Sequence, residues 1–217
     1  MSEFKKRILT SFFLLIVLIC SFINIKSLFI LLIFINFLSI DEFIKILKKI
    51  YKKNNFHLFI TTFVLLLYMI YFSLVIYAFL NKSFDINKIY VIFILLICAS
   101  TDIGGFMFGK MIGGKKLTKI SPNKTYAGLF GSIAFSLVVG LLFYNFQDKF
   151  ILNDLNILVY IILISFFSQI GDLFISYLKR KAKIKDTGTF LPGHGGILDR
   201  IDGMLLALPI SIIILAV

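Results

Sequence analysis

"LFITTFVLLLYMIYFSLVIYAFL", Leu58–Leu80, runs for 23 residues without a charged side chain. Wound as a helix at about 1.5 Å per residue, such a run crosses the roughly 30 Å hydrocarbon core of a bilayer. Working outward, six more apolar runs appear: Ile8–Ile23, Ser27–Ile40, Ile89–Phe108, Tyr126–Phe146, Leu155–Tyr177 and Ile197–Val217. The chain is 59% hydrophobic with a mean hydropathy of +0.99, far above a soluble domain. The reading is an all-α, polytopic integral membrane protein with about seven transmembrane helices. The opening "MSEFKKRILTSFFLLIVLICSF" resembles a signal peptide but lacks a small-x-small cleavage site, so it is read as the first membrane helix. The second run is short and predicts a tight hairpin or a tilted pair with the first. No soluble domain fits between runs. The longest connections are Asp41–His57, Gly109–Thr125 and Leu178–Gly196.

Charge sets an orientation. With the N-terminus in the cytoplasm, inner segments carry 19 lysines and arginines and outer segments carry four, Lys26, Lys82, Lys88 and Lys149. That asymmetry is the positive-inside signal, and it places the C-terminus outside. The net charge of +12 is therefore read as cytoplasmic loops facing anionic lipid, with no nucleic acid partner. Cys20 and Cys98 lie inside apolar runs without metal-type spacing and are read as packing residues.

Against this background one segment stands apart. "KDTGTFLPGHGGILDRIDG", Lys185–Gly203, holds three aspartates, a histidine and five glycines just before the last apolar run. Pro192, Gly193, Gly195 and Gly196 suit a tight turn whose amides, with the following helix N-terminus, could face phosphate. Asp199 and Asp202, at i and i+3, share a helix face and suit a hard cation. His194 could donate to a phosphate. Upstream, "QIGDLFISYLKR", Gln169–Arg180, puts Asp172, Ser176 and Lys179 or Arg180 on one face. A third stretch, Ser100–Gly128, joins Asp102 and three closely spaced glycines to Lys115, Lys116, Lys119 and Lys124, with "SPNKT" at Ser121–Thr125. On the predicted topology these acids gather at the cytoplasmic face, and ionisable groups at membrane depth mark a site. Carboxylates for a divalent cation beside lysines and glycine amides point to Mg²⁺ with several phosphates. No Ser–His pair with an orienting acid is present, and a transfer at phosphorus needs no protein nucleophile.

These residues carry a resemblance. "SYLKRKAKIKDTGTFLPGHGGILDRID", Ser176–Asp202, resembles the C-terminal motif of the phosphatidate cytidylyltransferases, or CDP-diacylglycerol synthases; "TDIGGFMFGK" and "KISPNKTYAG" resemble the family's two upstream motifs. The resemblance covers Thr101–Asp202. It implies transfer of the cytidylyl group of CTP to phosphatidic acid, giving CDP-diacylglycerol and pyrophosphate with Mg²⁺ and room for a second cation. It implies N-terminal membrane helices over residues 1–100 and a catalytic membrane region over 101–217. Carried over, Asp172 and Asp199, with Asp202, become the metal-site carboxylates; Asp172, Asp199, Lys124 and His194 become catalytic. Ser121, Thr125, Lys179, Arg180, Lys185, Asp186, Gly195, Gly196 and Arg200 become substrate contacts. The implied setting is the inner membrane with the site facing the cytoplasm, membrane lipids as neighbours, and room for a homodimer.

Two departures stand out: Ile175 and Ala127 occupy positions where the family usually has acids, which bears on the second cation. Three rivals were weighed. "DRIDG" echoes the CDP-alcohol phosphotransferases, but their two further aspartates are missing downstream. A CTP-dependent polyprenol or phytol kinase shares the chemistry, and "PGHGGILDRID" argues against it. A cation-coupled transporter would want broken helices near the midplane, whereas these acids crowd one side.

Overall fold

Long apolar runs can satisfy their backbone inside a membrane only by winding into helices. The computed structural model describes residues 3–52, 54–118, 121, 124–147, 156–193 and 195–216. Among them are seven helices: α1 Glu3–Ser21, α2 Ile25–Ile50, α3 Asn55–Lys82, α4 Phe84–Ile112, α5 Tyr126–Phe146, α6 Ile157–Lys181 and α7 Leu198–Ala216. The five from α2 to α6 are long and apolar enough to cross a membrane. The apolar part of α1 is the shorter stretch Arg7–Ser21, and α7 opens with Asp199, Arg200 and Asp202. The chain is all-α and, by helix composition, a multi-pass membrane protein.

The second helix differs from its sequence reading. It does not stop near Ile40 but continues to Ile50, so the 17-residue connection from Asp41 shrinks to Tyr51–Asn54. Leu28, Leu32, Ser39, Glu42, Phe43, Ile46 and Leu47 form one buried stripe at helical spacing, while Asp41, Lys45, Lys48 and Lys49 fall on exposed positions. The lysines that end the apolar run belong to the far face of the same helix.

The chain divides into two units, and α6 and α7 contribute to both. One comprises Met1–Phe84 with Leu178–Ile201. Here the Asn24 side chain caps α2 by accepting from the Ser27 N–H at 2.8 Å. Asn36 on α2 donates to the Met69 carbonyl and the Ser73 hydroxyl of α3, at 3.1 and 2.6 Å. Met69, Phe72, Ile76 and Leu80 complete the buried side of α3.

The other unit comprises Asp85–Tyr177 with Asp202–Val217. Its α4 and α5 meet through small residues. A Cβ on Gly131 would collide with the Phe108 side chain, and one on Gly128 would lie 2.8 Å from the Gly105 carbonyl oxygen. Lipid supplies no hydrophobic drive between helices, so close backbone approach is what packs them. Phe93 stacks on Tyr160, with centroids 6.1 Å apart, and the Thr101 hydroxyl donates to Ser165 at 3.0 Å. On α6 and α7, Gly171 and Gly203 play the same role: a Cβ on Gly171 would meet the Asp202 carbonyl oxygen at 2.5 Å.

Gly131→Ala is expected to lower the stability of the detergent-solubilised chain by about 1–3 kcal/mol through overpacking. Val138→Ala, on the exposed side of the same helix, should change it by less than about 0.5 kcal/mol. Thermal unfolding of the two variants side by side checks both.

Candidate functional site

Two polar clusters emerge, one in each unit. In the second unit, α4 is followed by Gly113 and Gly114, whose φ values of +67 and +96 belong to glycine. The chain then folds back on itself. An antiparallel bridge joins Lys116 and Thr125, the Leu117 N–H donates to the Lys124 carbonyl at 2.8 Å, and the Lys124 N–H donates to the Ser121 carbonyl at 3.0 Å. The Thr125 hydroxyl caps α5, accepting from the Gly128 N–H at 3.1 Å. This arrangement carries the Lys124 ammonium onto the Asp172 carboxylate of α6, where the Ser176 hydroxyl donates to the other oxygen at 3.3 Å. Both charged side chains are about a quarter exposed.

The first unit holds the unusual segment after α6. That helix ends in a left-handed residue, Lys183 at φ 57, with the Ile184 N–H returning to the Lys179 carbonyl and the Lys183 N–H to that of Arg180. The pattern is a Schellman cap in which lysine stands where glycine is usual. The segment then tightens through a bridge between Leu191 and Gly195, and the Thr10 hydroxyl of α1 donates to the Pro192 carbonyl at 3.0 Å. It delivers Asp199 to the first turn of α7. One Asp199 oxygen accepts from the Lys179 ammonium at 2.7 Å. The other accepts from the Thr187 and Gly196 N–H groups at 2.8 and 3.1 Å. The Asp199 side chain is 8% exposed and that of Lys179 13%, so the pair is nearly out of solvent.

Sequence reasoning missed Glu42. This residue of α2 is 4% exposed. It accepts from the Ile197 and Leu198 N–H groups, each at 3.0 Å, and from the Thr187 hydroxyl at 2.7 Å. A Cβ on Gly188 would lie 2.6 Å from one of its oxygens; one on Gly196 would collide with both and with the Thr187 hydroxyl. These two glycines therefore make room for a carboxylate of the protein itself. The amides of Gly196, Ile197 and Leu198, read from sequence as facing an anion, meet Asp199 and Glu42 instead. The signal for Glu42 lay in its place on the buried stripe of α2.

Other expected residues fall as follows. Arg180 reaches back to the Ile184 carbonyl at 3.4 Å, Lys185 and Asp186 are exposed, and Arg200 is exposed on α7. The Asp202 side chain accepts from the Gly203 N–H at 2.9 Å. Asp102 is exposed on α4, and Ile175 is 1% exposed, so the position where the resemblance expects an acid is apolar and buried. His194, Lys119, and Pro122 and Asn123 of "SPNKT" lie outside the described residues.

Chemically, each cluster is an oxygen donor set already holding a cation. Carboxylate and hydroxyl oxygens suit Mg²⁺, and the lysine ammonium on each aspartate stands where a metal cation could also lie. Among the described residues, no group of three or more acids, histidines or cysteines is gathered to hold an ion.

Residues 51–217 match the sequence model of the Cytidylyltransferase family. A protein named phosphatidate cytidylyltransferase from Staphylococcus epidermidis is 45% identical over 127 residues, 58% of this chain and 48% of the relative. Proteins of the same name from Staphylococcus haemolyticus and Staphylococcus aureus are 43% and 45% identical over the same length. The chain spans about half the length of the curated relatives it matches.

Removing one partner of a buried ion pair strands the other. Lys179→Met is expected to destabilise the protein by about 3–5 kcal/mol, and Lys179→Met with Asp199→Leu to recover only part of that, because the Thr187 and Gly196 amides then lose their acceptor. Thermal unfolding of the single and double variants measures the coupling.

Proposed function

Because the chain belongs to the cytidylyltransferase family, we propose that it transfers the cytidylyl group of CTP to phosphatidic acid in phospholipid synthesis, releasing pyrophosphate. The observation that carries this reading is the reach of the family match. It spans every candidate residue from Ser121 to Asp202, including both lysine–aspartate pairs. The proteins similar to this chain that bear the name phosphatidate cytidylyltransferase supply the substrate class.

In the proposed reaction a phosphate oxygen of phosphatidic acid forms a bond to the α-phosphorus of CTP. The bond from that phosphorus to the oxygen bridging to the β-phosphorus breaks, and pyrophosphate leaves with the electron pair. Such a transfer asks the protein for positioning and for positive charge around the phosphates. Lys124 and Lys179 are the ammonium groups for that task, and Ser121, Thr125, Lys185, Arg180, Arg200 and His194 are proposed to complete the polar wall. Gly195, Gly196 and Asp186 are proposed to border the same wall. Asp172, Asp199 and Asp202 are the carboxylates proposed as candidates for Mg²⁺, which would neutralise triphosphate charge. Ile175 and Ala127 add no carboxylate for a second cation.

All seven helices are proposed to cross the inner membrane, with the N-terminus and the site in the cytoplasm and the C-terminus outside. The 19-to-4 split of lysine and arginine supports that orientation. In a Cys20→Ser, Cys98→Ser background, Lys185→Cys should react with an impermeant maleimide only from the cytoplasmic side; labelling from outside would reverse the topology.

The reaction is tested with the full chain in vesicles containing phosphatidic acid. CTP labelled at the α-phosphorus should yield labelled lipid. Asp172→Asn should lower kcat/KM by about 10²–10³-fold. Label passing to lipid from the γ-phosphorus instead would make the protein a kinase. Full activity in both Asp172→Asn and Asp199→Asn would remove the metal assignment.

A further inference from the structure

Glu42 lies outside the family match, on a helix that reads from sequence as a simple membrane span. Its carboxylate nevertheless bonds three points of the segment that carries Asp199. We infer that Glu42 is a positioning residue, which sets the start of α7 and, through Thr187, the place of Asp199.

The geometry makes the case. The first N–H groups of a helix have no partner within it, and at low dielectric they must find one. Glu42 takes two of them, those of Ile197 and Leu198. A carboxylate suits the spot because the helix N-terminus favours negative charge. Its three donors among the described residues are uncharged, so that dipole and the hydrogen bonds offset its burial.

Thr187 links this anchor to Asp199. Its hydroxyl lies 2.7 Å from Glu42 and 3.0 Å from Asp199. One hydroxyl has one proton to give, and the shorter contact assigns it to Glu42. The Thr187 N–H meanwhile donates to Asp199 at 2.8 Å. One residue thus holds Glu42 by its side chain and Asp199 by its backbone. Gly188 and Gly196 close on Glu42 so tightly that a methyl group at either would strike its oxygens. The segment is shaped around this carboxylate.

Glutamine at position 42 breaks the arrangement without changing its size. An amide offers one acceptor oxygen, and its NH₂ would face an N–H or O–H donor. The amides at 197 and 198 would loosen, the Thr187 hydroxyl would turn toward Asp199, and Asp199 would lose its fixed place against Lys179.

The kinetic half of this inference rests on the cytidylyl-transfer reading; the anchoring half does not. The test uses the full chain in lipid vesicles. Amide hydrogen exchange over residues 185–203 should speed up roughly tenfold in Glu42→Gln, with α3 and α5 unchanged. The KM for CTP should rise by about fivefold while that for phosphatidic acid stays within about twofold. Thr187→Ser should behave as wild type, and Thr187→Val should share the CTP effect. A merely structural role would reduce the active fraction, lowering kcat and leaving both KM values in place, and that result overturns the positioning role. Unchanged exchange in Glu42→Gln overturns the anchor. Should Glu42→Gln fail to fold, Thr187→Val decides by the same two readouts. If the wild-type chain transfers no cytidylyl group, the reaction reading fails while exchange alone decides the anchor.

Discussion

A backbone N–H without a partner costs several kcal/mol in a bilayer, and this constraint shapes the whole chain. Helices meet it over most of the length. The test comes between α6 and α7, where the described residues 182–193 and 195–197 form no helix. Several amides there have their own partners: the end of α6 has its Schellman cap, Leu191 has Gly195, Thr187 and Gly196 have Asp199, and Ile197 and Leu198 have Glu42. Each partner is specific, so the segment has few alternative arrangements. A polar, glycine-rich stretch can therefore hold one shape in a largely apolar protein.

The two lysine–aspartate pairs need a different account. A nearly buried ion pair such as Lys179–Asp199 gains little net stability over a well-packed apolar pair of the same size. Two leucines could replace the ion pair itself, though they would leave the Thr187 and Gly196 amides without their acceptor. Keeping charge there argues for chemistry more than for stability. The Lys124–Asp172 pair is more open, a quarter exposed on each side, and a surface pair of that kind is worth at most about 1 kcal/mol. What the second pair does is bring a lysine from a loop onto a helix carboxylate, which fixes where positive charge sits beside Asp172.

Much of this was legible in the sequence. The existence of seven helices followed from apolar runs, because long stretches with so few charges satisfy their backbone in a bilayer by winding into helices. Asp172, Asp199, Lys124 and Lys179 stood out as charges at the margins of such runs, and the structure pairs them two by two. The extent of α2 was hidden, because Lys45, Lys48 and Lys49 end the apolar run although Phe43, Ile46 and Leu47 continue the buried stripe. Glu42 was hidden for the same reason. Between Asp41 and Lys45 it looks like one more charge on a cytoplasmic connection, and its partners lie more than 140 residues away. Glycine was read with one meaning too few. Gly188 and Gly196 have ordinary backbone conformations, and only the neighbouring side chain explains the missing Cβ.

The resting arrangement bears on the proposed reaction. Before substrate arrives, every strong charge in these clusters needs a partner, since an unpaired ion at low dielectric is expensive. Lysine and aspartate serve as one another's partner, so the polar residues persist without a ligand. In the proposed reaction, triphosphate would bring the opposite charge for the lysines, and a divalent ion would bring it for the aspartates, so that an exchange of partners would keep each group compensated. Glu42 takes no part in such an exchange, because its donors are backbone amides and a hydroxyl that no anion will draw away. That difference separates the residues that can change partners from the one that holds the frame they change within.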